Sequence, residues 1–328
     1  FIDTLSFEKH NKEQPWIAYR QFCENFLSPL LLMHYSKNSL QQLLLAYPDG
    51  IPLAVTKSLL PWRSKLSLHT YLHIHLHAVV AQKKAESNQK KIKFSKQKLL
   101  NLVSSLETLI RRLKLPAQKS IWFEYYDEAL QRKDYLQQKR KLIQQLLDKL
   151  GNLKTAADLG ANNGEFSQLL SAKNIQTIAA DSDPCCINKL YTEIKKSAEK
   201  NIQPLVVDLS NPSPAVGFNN AERASFLSRT RVDLVLALAL VHHLAIGKNI
   251  PLDIIACFFK QLSKHLIIEF VPKQDEKVQL MLSVKKDIYT EYDEAGFEQA
   301  FKKYYSVVSK ESIAGSGRVL YLMSKHED

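Results

Sequence analysis

This chain of 328 residues has no disulfide framework or zinc knuckle to read: Cys23, Cys185, Cys186 and Cys257 are scattered, without a C-x-x-C pair. No apolar run approaches the roughly 18 residues that cross a bilayer, so no membrane span is expected. No secretory leader is visible, and a soluble cytoplasmic protein is expected; the chain begins at Phe1 rather than Met, which leaves its true start open. No internal repeat is present. Acidic residues are scarce in the front half. Residues 1–150 hold 24 Lys and Arg against 12 Asp and Glu, whereas residues 151–328 hold 21 of each, so the formal net charge of +12 belongs to the front.

Seven lysines fall between Lys83 and Lys98, and Arg132–Lys149 forms a second basic stretch. Such a surface attracts an anionic partner such as RNA, a nucleotide or anionic lipid; solvated loops and helix faces have the same composition. Phe94 alone interrupts the lysine run, which weakens a base-stacking platform. Around these stretches the front reads as a mainly helical basic domain, residues 1–118. Trp16–Tyr35 is apolar at helical spacing with Pro29 as an interruption, and Asn38–Tyr47 ends at the turn Pro48-Asp49-Gly50. Ile51–Leu60 contains Pro52 and is ambiguous. Leu99–Leu115 is amphipathic and closed by Pro116. In Leu68–His77, His69, His73 and His77 share a face if the segment is helical, and His73, His75 and His77 if it is a strand. Either set could meet a metal, but no Cys or carboxylate lies nearby in sequence, and packing of a half-buried polar face is the preferred reading.

Residues 119–328 read differently. The segment Lys154–Leu170, KTAADLGANNGEFSQLL, runs from a short strand through a turn containing Asp158, Gly160 and Gly164 into an amphipathic helix. A glycine turn lets a ligand approach the backbone, and helix N–H groups point at the same spot. The G-x-G-x-x-G spacing of a pyrophosphate site is absent, because Asn162 holds the intermediate place. An acid two positions before the first glycine suits amine or hydroxyl groups better than phosphate. Later runs end in Asp181, in Asp208, in Val241-His242-His243-Leu244 after Val232–Leu240, and in Glu269. Polar groups at the carboxyl ends of successive strands match the ligand edge of an open α/β sheet. Tyr304–Ser309 and Arg318–Met323, joined across Gly315-Ser316-Gly317, form a closing β-hairpin.

The D-x-G-x-N-x-G turn resembles motif I of class I S-adenosylmethionine (SAM)-dependent methyltransferases, in which the intermediate position is usually Gly. The closing hairpin is a further trait of that family. WIAYRQFCENFLSPLLL, PDGIPL, ALALVHHLAIGKNIPL and IIEFVPKQD extend the resemblance over nearly the whole chain, to a bacterial group of nodulation-protein-related methyltransferases. The resemblance implies an α/β fold with a Rossmann-like, seven-stranded, mostly parallel sheet and a C-terminal antiparallel hairpin. It implies SAM as cofactor. Asp158, Gly160, Asn162 and Gly164 would shape the methionine end, Asp181 would bind the ribose, Asp208 the adenine amino group, and Leu240 would line the pocket. His243 or His242 would act as base for a hydroxyl acceptor, or pack against the cofactor.

The family's [DNS]-P-P-[YFW] segment is absent after strand four, and no cysteine stands there for a covalent pyrimidine mechanism, which disfavours base methylation. A small-molecule or sugar hydroxyl is the expected acceptor. RNA or a ribosomal component is the alternative that the basic front half favours, and a non-catalytic SAM sensor or assembly factor is a third. The Leu209–Thr230 insertion, Glu269–Asp275, and the aromatics Trp122, Tyr125 and Tyr126 are candidates for substrate contacts or a lid.

Overall fold

A computed structural model describes residues 14–36, 40–84, 94–114 and 133–326. Trp122, Tyr125, Tyr126 and the centre of the lysine run lie outside the described residues. The chain divides into two compact units, Phe1–Gln118 and Lys119–Asp328. No helix among the described residues is long and apolar enough to cross a membrane.

The first unit is helical. Pro29 does not end its first helical stretch: a π-helical turn, Cys23–Leu27, precedes the helix Ser28–Tyr35, with the proline in the first turn. There its missing N–H and its ring cost least. Gly50 closes the next turn at φ +115, its N–H donating to Tyr47 O. The ambiguous Ile51–Leu60 becomes the helix Leu53–Leu59 with Pro52 as its cap residue. Leu27, Leu31, Ile51, Ile74, Leu106 and Leu109 form the core of the unit.

The histidine segment is helical, not extended: Leu68–Thr70 leads into a π-helix, Tyr71–Leu76, and then into His77–Lys84. Tyr19 OH and His73 Nδ1 lie 2.6 Å apart. Ser105 Oγ lies 2.8 Å from both His73 Nε2 and His69 Nδ1, and His75 Nε2 pairs with Ser64. No group of three metal-ligating side chains exists among the described residues.

The second unit is a seven-stranded sheet. Its strands are β1 (Thr155–Leu159), β2 (Gln176–Asp181), β3 (Ile202–Val206), β4 (Val232–Ala237), β5 (Ser263–Phe270), β6 (Tyr305–Ser312) and β7 (Val319–Lys325). The order is β3-β2-β1-β4-β5-β7-β6, and β7 alone runs antiparallel to its neighbours. The fold expected from the family resemblance is the one observed. Alternation along the strands feeds two cores. Leu234, Leu236 and Ile267 face the helices Lys133–Asp148 and Glu165–Ser171, whereas Val235, Ala237 and Ile268 face Leu252–Lys260 and Glu294–Lys302.

Strand four ends at Ala237, three residues before the end of its apolar run. Ala239 adopts φ +49 and turns the chain out of the sheet. An uninterrupted apolar run contains no mark of where pairing stops. The 209–230 insertion holds one isolated bridge, Val216 to Arg223, and a short helix, Phe226–Arg229, anchored by buried Phe226.

Gly164 is fixed twice: its φ is +78, and a Cβ there would lie 2.5 Å from Leu190 Cδ1. Gly164→Ala is expected to cost about 2 kcal/mol or more, measured as a lower urea midpoint.

Candidate functional site

The site is built at the carboxyl ends of β1, β2 and β4. The turn after β1 folds back on β2, where Gly160 N–H (2.8 Å) and Ala161 N–H (3.0 Å) both donate to Ala180 O. Gly160 sits at φ +81 and Asn162 at φ +49. The latter is a left-handed position that asparagine tolerates better than most residues. Asparagine at this place thus keeps the left-handed turn that glycine would make. A Cβ on Gly160 would stand 3.4 Å from Leu240, so this pair brackets the open side of the turn. Asn163 Oδ1 is buried in the same turn with no hydrogen-bond partner among the described residues.

Asp181 ties the turn to β2. Its Oδ2 accepts from Asn162 N–H and its Oδ1 from Asp183 N–H, each at 2.9 Å. Each oxygen keeps a further lone pair for a ligand hydroxyl. Burial pushes its carboxyl up, against these backbone bonds. Asp158 is 2 % exposed, and its Oδ2 accepts from Ser167 Oγ at 2.6 Å. Burial, with the Asp181 charge adding to it, pushes its pKa up to about 6, while the Ser167 bond and the Lys139 charge oppose.

Asp208 stands apart from this pair, two residues past β3. Its Oδ1 accepts from Ser210 N–H and Oγ–H, and its Oδ2 lies 3.6 Å from Lys248 Nζ. Partial burial would raise its carboxyl, but the Ser210 bonds and Lys248 outweigh that and hold it low.

His242 and His243 follow the Ala239 turn with ring centroids 4.0 Å apart. His242 is 2 % exposed, and its Nδ1 has no partner among the described residues. Burial, then the neighbouring His243, Arg318 and Lys139, push its pKa well down. His243 begins a π-helical turn and is partly open. Burial and Arg318 push its pKa down to about 4. Both imidazoles are thus neutral at neutral pH. A cleft of ≈ 750 Å³ is bordered by Ala245, Asn249, Pro251, Tyr289, Tyr292 and Gln299, and neither histidine lines it.

Sequence reasoning missed the partners of Glu269. This carboxylate is fully buried and accepts from Lys139 Nζ (2.6 Å), Tyr135 OH (3.0 Å) and Arg318 Nη1 (3.4 Å). Arg318 also forms a two-point contact with Asp275, at 2.7 and 3.2 Å. Burial would raise Glu269, but Lys139 and Arg318 hold it below the usual carboxylate range. The available signal was the acid itself: a carboxylate ending an apolar strand must be paired to be buried.

The nodulation protein NoeA of Rhizobium meliloti (strain 1021) is 34% identical to this chain, aligned over all of it and over 70% of the relative. The chain belongs to the NoeA family. No family model matches it. Solved structures with a similar fold to this NoeA-family chain include the N-methyltransferase NodS from Bradyrhizobium japonicum WM9. It is 13% identical, with a TM-score of 0.44, over 59% of this chain and 97% of NodS. The bifunctional kinase-methyltransferase WbdD is 17% identical, with a TM-score of 0.40, and 67% of this chain spans 46% of WbdD. The unit Lys119–Asp328 carries the seven-stranded α/β sheet of order β3-β2-β1-β4-β5-β7-β6.

Asp158 yields a pH test. Its raised folded pKa means that stability is full below the unfolded value and is lost as pH rises through about 6. Asp158→Asn keeps an acceptor for Ser167 and does not titrate. It should match the wild type near pH 4 and exceed it at pH 7 by on the order of 2 kcal/mol in urea unfolding without ligand.

Proposed function

We propose that this protein transfers a methyl group from SAM to a hydroxyl of a small molecule or sugar. The observation that carries the reading is the junction between the glycine turn and β2, where Asn162 N–H meets the Asp181 carboxylate beside the bare Cα of Gly160. Carboxylates at β1, β2 and beyond β3, and a buried unpartnered amide oxygen on Asn163, suit a cationic ligand rich in hydroxyl and amine groups. They do not suit a pyrophosphate. In this reading Asp158, Gly160, Asn162 and Gly164 shape the methionine end. Asp181 accepts from the ribose hydroxyls, Asp208 meets the adenine amino group, and Leu240 is the apolar wall under Gly160.

SAM supplies an already activated methyl group, so the protein's work is alignment and proton removal. His243 takes the acceptor hydroxyl's proton as the oxygen displaces sulfur from the methyl carbon in line. Its partial exposure supports that role over the enclosed His242. The cleft that includes Ala245 is lined by polar groups such as Gln299, Thr290 and Asp253, which supports a hydroxylated acceptor.

The test is incubation of cell extract with the protein and labelled SAM, with mass identification of the labelled product. His243→Ala should lower kcat by about 10²–10⁴-fold while SAM affinity by calorimetry stays nearly intact. With His243 as base, kcat/KM should rise with pH through about 4 and stay flat across neutrality. Unchanged turnover in both His243→Ala and His242→Ala would sink the base assignment. A second reading, RNA or a ribosomal component as acceptor, is favoured by the excess of basic residues in the front half. It requires RNA binding that weakens steeply with salt.

A further inference from the structure

The helical stretch 68–84 has an apolar face on each side. Thr70, Ile74 and Ala78 are buried toward the core of the first unit. Leu68 (65 %), Leu72 (40 %), Leu76 (40 %) and Val80 (43 %) repeat at the same spacing of four and are exposed. The Trp62–Leu66 helical turn is held beside this stripe by the 2.8 Å contact between Ser64 Oγ and His75 Nε2. It adds Trp62 (69 %) and Leu66 (75 %). Exposed apolar patches of this kind mark interaction sites.

The charge around the patch indicates the cover. Residues 50–85 contain no Asp or Glu, but they contain Lys57, Arg63, Lys65, Lys83 and Lys84. Arg63 and Lys65 are exposed within the Trp62–Leu66 turn itself. We propose that this face docks on an anionic phospholipid bilayer, with Trp62, Leu66, Leu68, Leu72 and Leu76 entering the headgroup boundary and Arg63 and Lys65 meeting lipid phosphates. Interfacial binding scales with buried apolar area plus attraction to anionic lipid, and both are present in one stretch. RNA offers nothing to the exposed leucines. A second copy would bring the same cations face to face. The proposal is independent of the methyl-transfer reading and fails or stands apart from it.

The test is co-sedimentation of the full chain with vesicles of neutral lipid alone and with about 30% anionic phospholipid. Binding is expected to the anionic vesicles only and to weaken as salt rises. Arg63→Glu/Lys65→Glu and Leu72→Ser/Leu76→Ser should each reduce the bound fraction by about tenfold. All four positions are exposed, and an unchanged thermal unfolding transition would confirm that each variant is folded. No binding to anionic vesicles would overturn the proposal, as would binding that neither folded variant weakens. So would retention by RNA without retention by vesicles, or a concentration-dependent dimer that Leu72→Ser/Leu76→Ser abolishes.

Discussion

A carboxylate without water holds the ligand edge of the sheet together. Glu269 ends β5 in the face packed by the helix Lys133–Asp148, and it is tolerable there only because Lys139 from that helix and Arg318 from the start of β7 reach it. Removing one partner of a buried pair ordinarily costs about 3–5 kcal/mol, because the other charge stays behind. The three elements are far apart in sequence, and the penalty for separating them fixes the helix before β1 and the closing hairpin on one edge. Asp275 then takes the remaining guanidinium edge and caps the helix Glu276–Leu282 through Lys277 N–H.

This arrangement sets the electrostatics next to it. Lys139 opposes the rise that burial imposes on Asp158, and Arg318 adds to the burial that holds both histidines neutral. The hub therefore opposes the rise of one acid while denying a proton to two bases. Acids that retain charge and imidazoles that lose it accord with the proposed cationic donor and hydroxyl acceptor. The same pair of cations serves both ends.

The sheet was legible in the sequence because each strand carries its own signal, an apolar run ending in a polar residue, and the glycine turn is local. Strand four shows the limit: VDLVLALAL gives no sign that Ala239 turns out at a left-handed φ. The proline at residue 29 was readable as an interruption, but not as a π-helical turn that absorbs it, because that choice is made by the core around Leu27 and Leu31. The alternation of His with Leu suggested strand and helix equally until Ser105 and Tyr19, distant in sequence, took the imidazoles. The Glu269 partners lie about 50 and 130 residues away, a distance that no local pattern spans.

The distribution of charge follows from the same chemistry. On the proposed reading, Asp158, Asp181 and Asp208 would hold a cation less well if excess positive charge gathered within a Debye length, about 8 Å at physiological salt. The sheet-bearing unit, residues 119–328, is nearly balanced, with 28 Lys and Arg against 26 Asp and Glu, whereas residues 1–118 hold 17 against 7. Position along the chain is thus a poor guide to where this charge acts: the basic helix Lys133–Asp148 belongs to the sheet-bearing unit, and its Lys139 is taken up by Glu269 while acting on Asp158.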